Sequence, residues 1–134
     1  MIMPYGKIAY IGQMTVQSNM VMTNKSAFID LNNVVYFCGN AMVADYTAGS
    51  VLATLPSDMM YPLQIVVIPV CVKESDAEQP TVVPMTVNTD GTIEIGIDLS
   101  DADLYLSGVS FTANSRYYTP EIGNVYPNNT SPLA

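Results

Sequence analysis

The sequence predicts an all-β protein, an antiparallel β-sandwich of jelly-roll type, and three observations lead to this prediction. Short runs rich in Val, Ile, Thr, Tyr and Phe fill the chain, separated by Gly, Pro, Asn and Asp. Several runs alternate between apolar and polar residues, which is typical of strands with one buried face. No window shows a convincing helical period. Strands at such spacing favour a sandwich or jelly roll, and we place them at 7–11, 14–22, 26–30, 34–44, 49–54, 64–73, 81–88, 92–98, 103–112 and 115–118.

The clearest local signal is a hairpin in the segment PMTVNTDGTIEIGIDL. Asn88 to Gly91 turn the chain, because an Asp-Gly pair tolerates the left-handed backbone that tight hairpins need. After the turn, Ile93, Ile95 and Ile97 are expected on one face of the strand. This alternation predicts a half-buried antiparallel strand.

The segment ADLYLSGVSFTA predicts a second strand of the same kind. Leu104 and Leu106 are expected to point into the core. Val109 and Phe111 can do so as well once Gly108 allows a bulge or a kink.

The domain organisation is simple, because 134 residues are about one domain's worth of chain. Residues 1–118 are expected to form a single β-sandwich domain. An acidic loop is predicted at 73–80. Residues 119–134 contain three prolines and no strong period, and we expect them to form an extended C-terminal arm or tail.

Composition excludes several partners. Charged residues make up only 12% of the chain, and twelve acids outweigh four scattered bases to give a net charge of −8. Without a basic patch, binding to nucleic acid or to an anionic membrane is not expected. The apolar run at 65–72 is far shorter than the roughly 20 residues that span a bilayer. The neutral polar surface suits packing between subunits or contact with uncharged hydroxylated partners.

The sequence gives little indication of a catalytic nucleophile or of a metal-binding site. Cys38 and Cys71 fit no metal-binding spacing, and the chain has no histidine. We expect both to be buried free thiols, with a disulfide as the alternative. Since the Ser/His/Asp and Cys/His pairings are absent, we predict no catalytic residue and no cofactor.

Acidic residues near the hairpin allow two further readings. Glu94 with Asp98, or Asp101 with Asp103, has the residue types of a glycosidase pair. Asp98, Asp101 and Asp103 together have the oxygen ligands that calcium prefers, but DLSDADLY lacks the glycine and the distal glutamate of an EF-hand loop. We assign these carboxylates to solvated turns and predict no metal site.

Two stretches are candidates for receptor binding. NSRYYTP places Arg116, the only arginine, beside Tyr117 and Tyr118, and Arg and Tyr are enriched at binding hot spots. ADYTAGS offers Asp45 and an exposed aromatic, Tyr46, on a glycine-containing loop. The alternatives are a last strand packed in the core or in a subunit interface, and ordinary turn chemistry.

The order of short motifs along residues 34–118 is distinctive. A strand leads into a TLP corner, a short link ends in proline, and a long apolar strand, a TDG hairpin and a strand ending in SFTA follow. This order resembles the knob or head domain of phage tail-fibre and receptor-binding proteins. The matching positions are Gly49, Val51, Leu55-Pro56, Tyr61-Pro62, Asp90-Gly91, Ile93, Ile95 and 108–118.

The resemblance implies a homotrimer at the tip of a virion appendage, assembled in the host cytoplasm. Its partners would be other virion proteins and a saccharide or protein on the host cell surface. A structural capsid decoration or head-fibre protein is the alternative, attached through the arm from Thr119, because the chain starts in a strand and has no Trp to stack on a sugar. A polysaccharide depolymerase is the third reading.

Overall fold

A computed structural model of the chain describes residues 8–113, which form two antiparallel β-sheets. The predicted all-β sandwich is therefore confirmed. A single 3-10 turn, Asp58–Met60, is the only helical element among these residues. The strands are β1 Ile8–Gln13, β2 Thr15–Val16, β3 Met20–Met22, β4 Ser26–Asp30, β5 Val34–Phe37, β6 Ala41–Tyr46, β7 Ala53–Thr54, β8 Val66–Glu74, β9 Thr81–Val87, β10 Thr92–Ile95, β11 Leu99–Tyr105 and β12 Ser110–Thr112.

The two sheets differ in size and are linked by short crossings. The smaller sheet has the order β1-β4-β5-β12, and the larger has the order β2-β7-β10-β9-β8-β11-β6-β3. Only Met14 separates β1 in the first sheet from β2 in the second, and residues 38–40 carry the chain from β5 to β6. These crossings make the sandwich nearly closed.

The space between the sheets holds one hydrophobic core. Ile29 and Val35 reach it from the four-stranded sheet, and Val72 and Leu104 reach it from the eight-stranded sheet. Burial of each such side chain contributes about 1.5–3 kcal/mol relative to its exposure. Along β3, β5 and β10, alternation places every second residue in this core, as the sequence pattern predicted for β10.

The predicted hairpin joins β9 to β10. The Gly91 N–H donates to the Asn88 carbonyl at 2.9 Å, and the Asn88 N–H donates to the Thr92 carbonyl at 2.9 Å. Gly91 has a φ of +86°. These bonds describe a three-residue loop whose last residue is left-handed, a geometry that glycine adopts without steric cost.

The TLP corner packs directly against this hairpin. The Leu55 N–H donates to the Gly91 carbonyl at 2.9 Å. The Ser57 side chain caps the 3-10 turn by accepting from Met59, and Met60 is fully buried. The corner therefore anchors the chain between β7 and β8.

Several predicted strands are divided or shortened in the structure, and one of them is divided where the chain changes sheet. The predicted strand 34–44 is divided at residues 38–40, and 14–22 is divided by a turn at 17–19. The predicted strand 49–54 is reduced to Ala53–Thr54. The breaks fall on QSN at 17–19 and CGN at 38–40, which contain turn-forming residues, so the sequence carried a signal that the predicted strand bounds do not reflect.

The region after β10 also differs from the prediction. Ile97 is 40% exposed rather than buried, because β10 ends at Ile95 and a bend separates it from β11. The predicted strand 103–112 begins earlier, at Leu99, and a turn containing Gly108 then sends β12 into the other sheet. Gly108 has a φ of +86°, as expected of a kink at this glycine.

Both cysteines are free, as predicted, but both are half-buried rather than buried. Partial burial raises the pKa of the Cys38 thiol. The predicted strand 115–118 and the predicted arm 119–134 lie outside the described residues. Within residues 8–113, no helix has the length and hydrophobicity to span a membrane.

Candidate functional site

Asp45 and Tyr46 lie at the end of β6, and the structure separates them. Asp45 is exposed, and its carbonyl accepts a hydrogen bond from the Asn19 side-chain amide. Tyr46 is only 3% exposed. The expectation that Tyr46 is an exposed aromatic is therefore wrong, because its ring belongs to the core.

A shared break in alternation turns Tyr46 inward. Ala44 and Asp45 are consecutive exposed residues in β6, and Ser100 and Asp101 are consecutive exposed residues in the neighbouring strand β11. Asp101 has a φ of +52°, which is uncommon outside glycine. Because each strand has two consecutive exposed residues at the same place, the alternation shifts by one residue in both strands. Tyr46, the residue after Asp45, therefore faces the core.

The Tyr46 hydroxyl forms hydrogen bonds with backbone groups where β10 ends. It accepts from the Ile95 N–H at 2.8 Å, and it lies 2.6 Å from the Ser50 carbonyl and 3.2 Å from the Ile95 carbonyl, to which it can donate. Burial raises the pKa of Tyr46, and the charge of Glu94 acts in the same direction, although the bond to Ile95 opposes them. Tyr46 is a structural residue.

Loops that are distant in sequence meet at the end of the sheet where Asp45 lies. The Ala48 N–H donates to the Asp98 carboxylate at 2.8 Å, and the Ser75 hydroxyl donates to the Asp101 carboxylate at 3.0 Å. We call this region the acidic end. Its acidic residues are Asp45, Glu74, Asp76, Glu78, Asp98 and Asp101.

The charge of the acidic end is little compensated by the described residues. Lys73 lies nearest, and its ammonium donates to the main-chain carbonyls of Glu74 and Ala77, at 3.4 and 2.9 Å. Loops of one charge sign repel ligands of the same sign. The arrangement therefore favours neutral or cationic ligands over anionic ones at this end.

The acidic residues considered for catalysis or metal binding make separate local contacts. The Glu94 carboxylate accepts from the Asn88 amide at 2.9 Å, whereas Asp98 holds the loop that contains Ala48. Among residues 8–113, no group of three His, Cys, Asp or Glu side chains is arranged to hold a metal ion.

A polar network covers the outer side of the β9–β10 hairpin. Asp90 accepts from the Thr92 hydroxyl at 2.7 Å and from the Thr92 N–H at 3.1 Å. These two bonds, the hydroxyl first, lower the pKa of Asp90. The Asn88 amide extends the network from Thr92 to Glu94. Its members satisfy one another, so the network stabilises the turn.

Arg116, Tyr117 and Tyr118 lie outside the described residues. The described chain ends at Ala113, whose N–H donates to the Asn33 carbonyl at 2.7 Å beyond the end of β12. The structure therefore does not test these three candidates.

The largest exposed feature was not assigned from the sequence. On the solvent side of the eight-stranded sheet, neighbouring strands carry exposed apolar residues instead of polar ones. We call this surface the outer sheet face. It contains Val21 of β3, Met42 of β6, Tyr105 of β11, Val67, Pro69 and Cys71 of β8, and Val82 and Pro84 of β9.

A signal for this face was present in the sequence. The run IVVIPVCV is apolar at both odd and even positions, whereas a strand with one solvated face alternates. Comparison with known proteins adds no further assignment: no protein-family model matches the chain, and neither does any curated protein.

Proposed function

We propose that this chain is a non-enzymatic virion protein, a trimeric β-sandwich head that binds a saccharide or protein receptor on a host cell. The outer sheet face carries the proposal, because a broad apolar surface on the solvent side of a sheet suits a protein that works by contact with other molecules. The order of the TLP corner, the TDG hairpin and the SFTA strand supports the virion setting through its resemblance to phage fibre heads.

The acidic end supports a narrower choice of receptor. Asp45 remains exposed there, and the other carboxylates of the acidic end come from two strands and from two loops. An anionic polysaccharide would be repelled by this field, whereas the hydroxyls of a neutral saccharide can donate hydrogen bonds to the carboxylates. A neutral surface saccharide is therefore the receptor class that we propose first.

Binding of the purified chain to bacterial cells, and to immobilised neutral and anionic glycans, tests the proposal. We expect binding to a neutral glycan. Arg116→Ala and Tyr118→Ala should each weaken it at least tenfold, whereas Lys25→Ala, which removes an exposed cation elsewhere, should leave it unchanged. Periodate treatment of the cells destroys saccharides and should abolish binding.

Other outcomes would contradict parts of the proposal. Binding that survives periodate but not protease treatment of the cells would identify a protein receptor. Failure to bind any cell or glycan would overturn receptor binding. Release of reducing ends from a polysaccharide, lost in Glu94→Gln, would favour the depolymerase.

A structural decoration protein is the second candidate, and the outer sheet face supports it as well, since other virion proteins could cover that face. Deletion of residues 119–134 distinguishes the two. Every described core residue lies between Met14 and Ala113, so the deletion leaves the described core intact. Cell binding that survives the deletion would favour receptor binding, whereas loss of attachment to particles would favour the structural role.

A further inference from the structure

The register of the strands brings the residues of the outer sheet face together. Val82, Cys71 and Tyr105 lie side by side on β9, β8 and β11. Met42 and Val21 are paired on β6 and β3, at the edge of the same sheet. Asp103 stands beside Met42 on β11, and Tyr105 follows two residues later on the same side of that strand. The apolar residues of five adjacent strands therefore share one face, which Asp103 and Lys73 interrupt.

The area of this face is large for a chain of this size. Seven of its apolar residues are exposed, and at roughly 80–100 Å² each they present about 600 Å² of surface. The largest apolar patch on a typical monomer covers roughly 300–600 Å², whereas each partner in a stable complex buries roughly 800 Å². The face supplies most of the apolar area that one partner needs.

The charge distribution argues for a partner of the same kind. Within the face, Asp103 is paired with Met42 on one side and with Lys73 on the other, and the Lys73 ammonium is directed to carbonyls of the adjoining turn. A basic partner would be drawn to the acidic end instead. A mainly apolar face that contains a single Asp–Lys strand pair is matched best by a similar face, and a second copy of this chain carries one.

The face has a raised part beside two hollows. Val21 is 67% exposed and Met42 is 58% exposed, and together they form a ridge. A hollow of about 220 Å³ beside Asn19 and a hollow of about 310 Å³ beside Tyr105 lie next to it, and both are lined partly by the ridge residues. The ridge of one copy can enter a hollow of the next.

The edge of the sheet adds a fourth argument. Among the described residues, β3 is the last strand of the eight-stranded sheet, and it is only three residues long. An exposed strand edge is prone to pair with other chains unless it is covered. The shortness of β3 already limits such pairing, and a neighbouring copy seated beside the ridge would limit it further.

We propose that the outer sheet face is the self-association surface of this protein, on which a second copy seats its Val21–Met42 ridge. This inference rests on one part of the proposed function, the oligomer, and is independent of receptor binding.

Native mass, measured by sedimentation or light scattering on the full chain, tests this surface. We expect the wild-type protein to have a multiple of the 14.5 kDa chain mass. Val21→Asp and Met42→Asp should each shift it to a single chain, because a carboxylate would be buried without a partner. Ile11→Asp is the matched control, since Ile11 is 54% exposed but lies on β1 of the other sheet, and it should remain associated.

The two free thiols provide a second readout. Cys71 lies within the face, whereas Cys38 lies at the end of β5. With increasing protein concentration, the rate of thiol labelling at Cys71 should fall severalfold while that at Cys38 stays constant. In Met42→Asp the Cys71 rate should no longer depend on concentration. Val82→Asp, at the far side of the face, replaces either ridge variant should one fail to fold.

Three outcomes would overturn the proposal. The first is a wild-type protein that stays at one chain mass with a reactive Cys71. The second is a single chain with a protected Cys71, which would mean that another part of the same chain covers the face. The third is an oligomer that persists in the Val21, Met42 and Val82 variants. A variant that is a single chain but still binds glycan would show that receptor binding does not depend on self-association.

Discussion

Tyr46 is buried, and its side chain has a structural role. The sequence around it has the composition of a loop, yet the shared irregularity of β6 and β11 turns its ring inward. Its hydroxyl then satisfies the N–H of Ile95 where β10 ends. The residue beside it, Asp45, keeps its exposure and remains a binding candidate.

Tyr46→Phe should lower the free energy of unfolding by about 1–3 kcal/mol, because the buried Ile95 N–H would lose its acceptor. Urea unfolding of the purified chain measures this change. Tyr10→Phe, which removes a hydroxyl from a more exposed ring on β1, should change stability by less than about 0.5 kcal/mol. A Tyr46→Phe protein as stable as wild type would show that water replaces the hydroxyl.

At the scale of elements, the turns determine where strands begin and end. Gly91 and Gly108 share a φ of +86° but differ in their surroundings. A Cβ atom at Gly91 would overlap the ring of Tyr61 from the TLP corner, whereas nothing lies within 4 Å of the same position at Gly108. The hairpin therefore packs so closely against the segment that follows the TLP corner that only glycine fits at position 91 without displacing Tyr61.

Gly91→Ala should destabilise the protein more than Gly108→Ala does. Both variants force alanine into a left-handed backbone at about 1–2 kcal/mol. Only Gly91→Ala also displaces the Tyr61 ring, which should add at least about 1 kcal/mol, as overpacking does elsewhere. Thermal or urea unfolding of the two variants measures the difference. Equal losses would show that Tyr61 moves aside freely.

The crossings between sheets account for part of the errors in strand prediction. Residues 38–40, CGN, contain turn-forming residues, but a turn signal alone does not show that the chain passes to the other sheet. Their conformation is imposed by partners elsewhere, since the Asn40 side chain accepts from the N–H groups of Leu106 and Ser107. A window of local sequence does not contain those partners.

For the whole molecule, charge and hydrophobicity occupy different surfaces. The acidic end gathers carboxylates from several loops, whereas the outer sheet face holds apolar side chains with little charge. With a net charge of −8, two copies repel each other at long range while their apolar faces attract at contact.

Salt should therefore strengthen self-association. Screening shortens the range of repulsion from about 10 Å at 0.1 M to about 3 Å at 1 M ionic strength, while contact between apolar faces is retained. We expect a severalfold lower dissociation constant at the higher sodium chloride concentration, measured by sedimentation. Ile11→Asp should respond in the same way. Weakening by salt would indicate that ion pairs, rather than the apolar face, hold the copies together.

The sequence by itself determined the all-β class, the TDG hairpin, the kink at Gly108 and the absence of a basic surface, because each depends on alternation, turn chemistry or composition within a short window. Tertiary structure alone decided the sheet crossings, the burial of Tyr46, and the acidic end built from residues 45, 74–78, 98 and 101. It also decided that the apolar residues of five strands form one face. These features arise from pairing between distant strands, and the register that aligns them is a property of the folded chain.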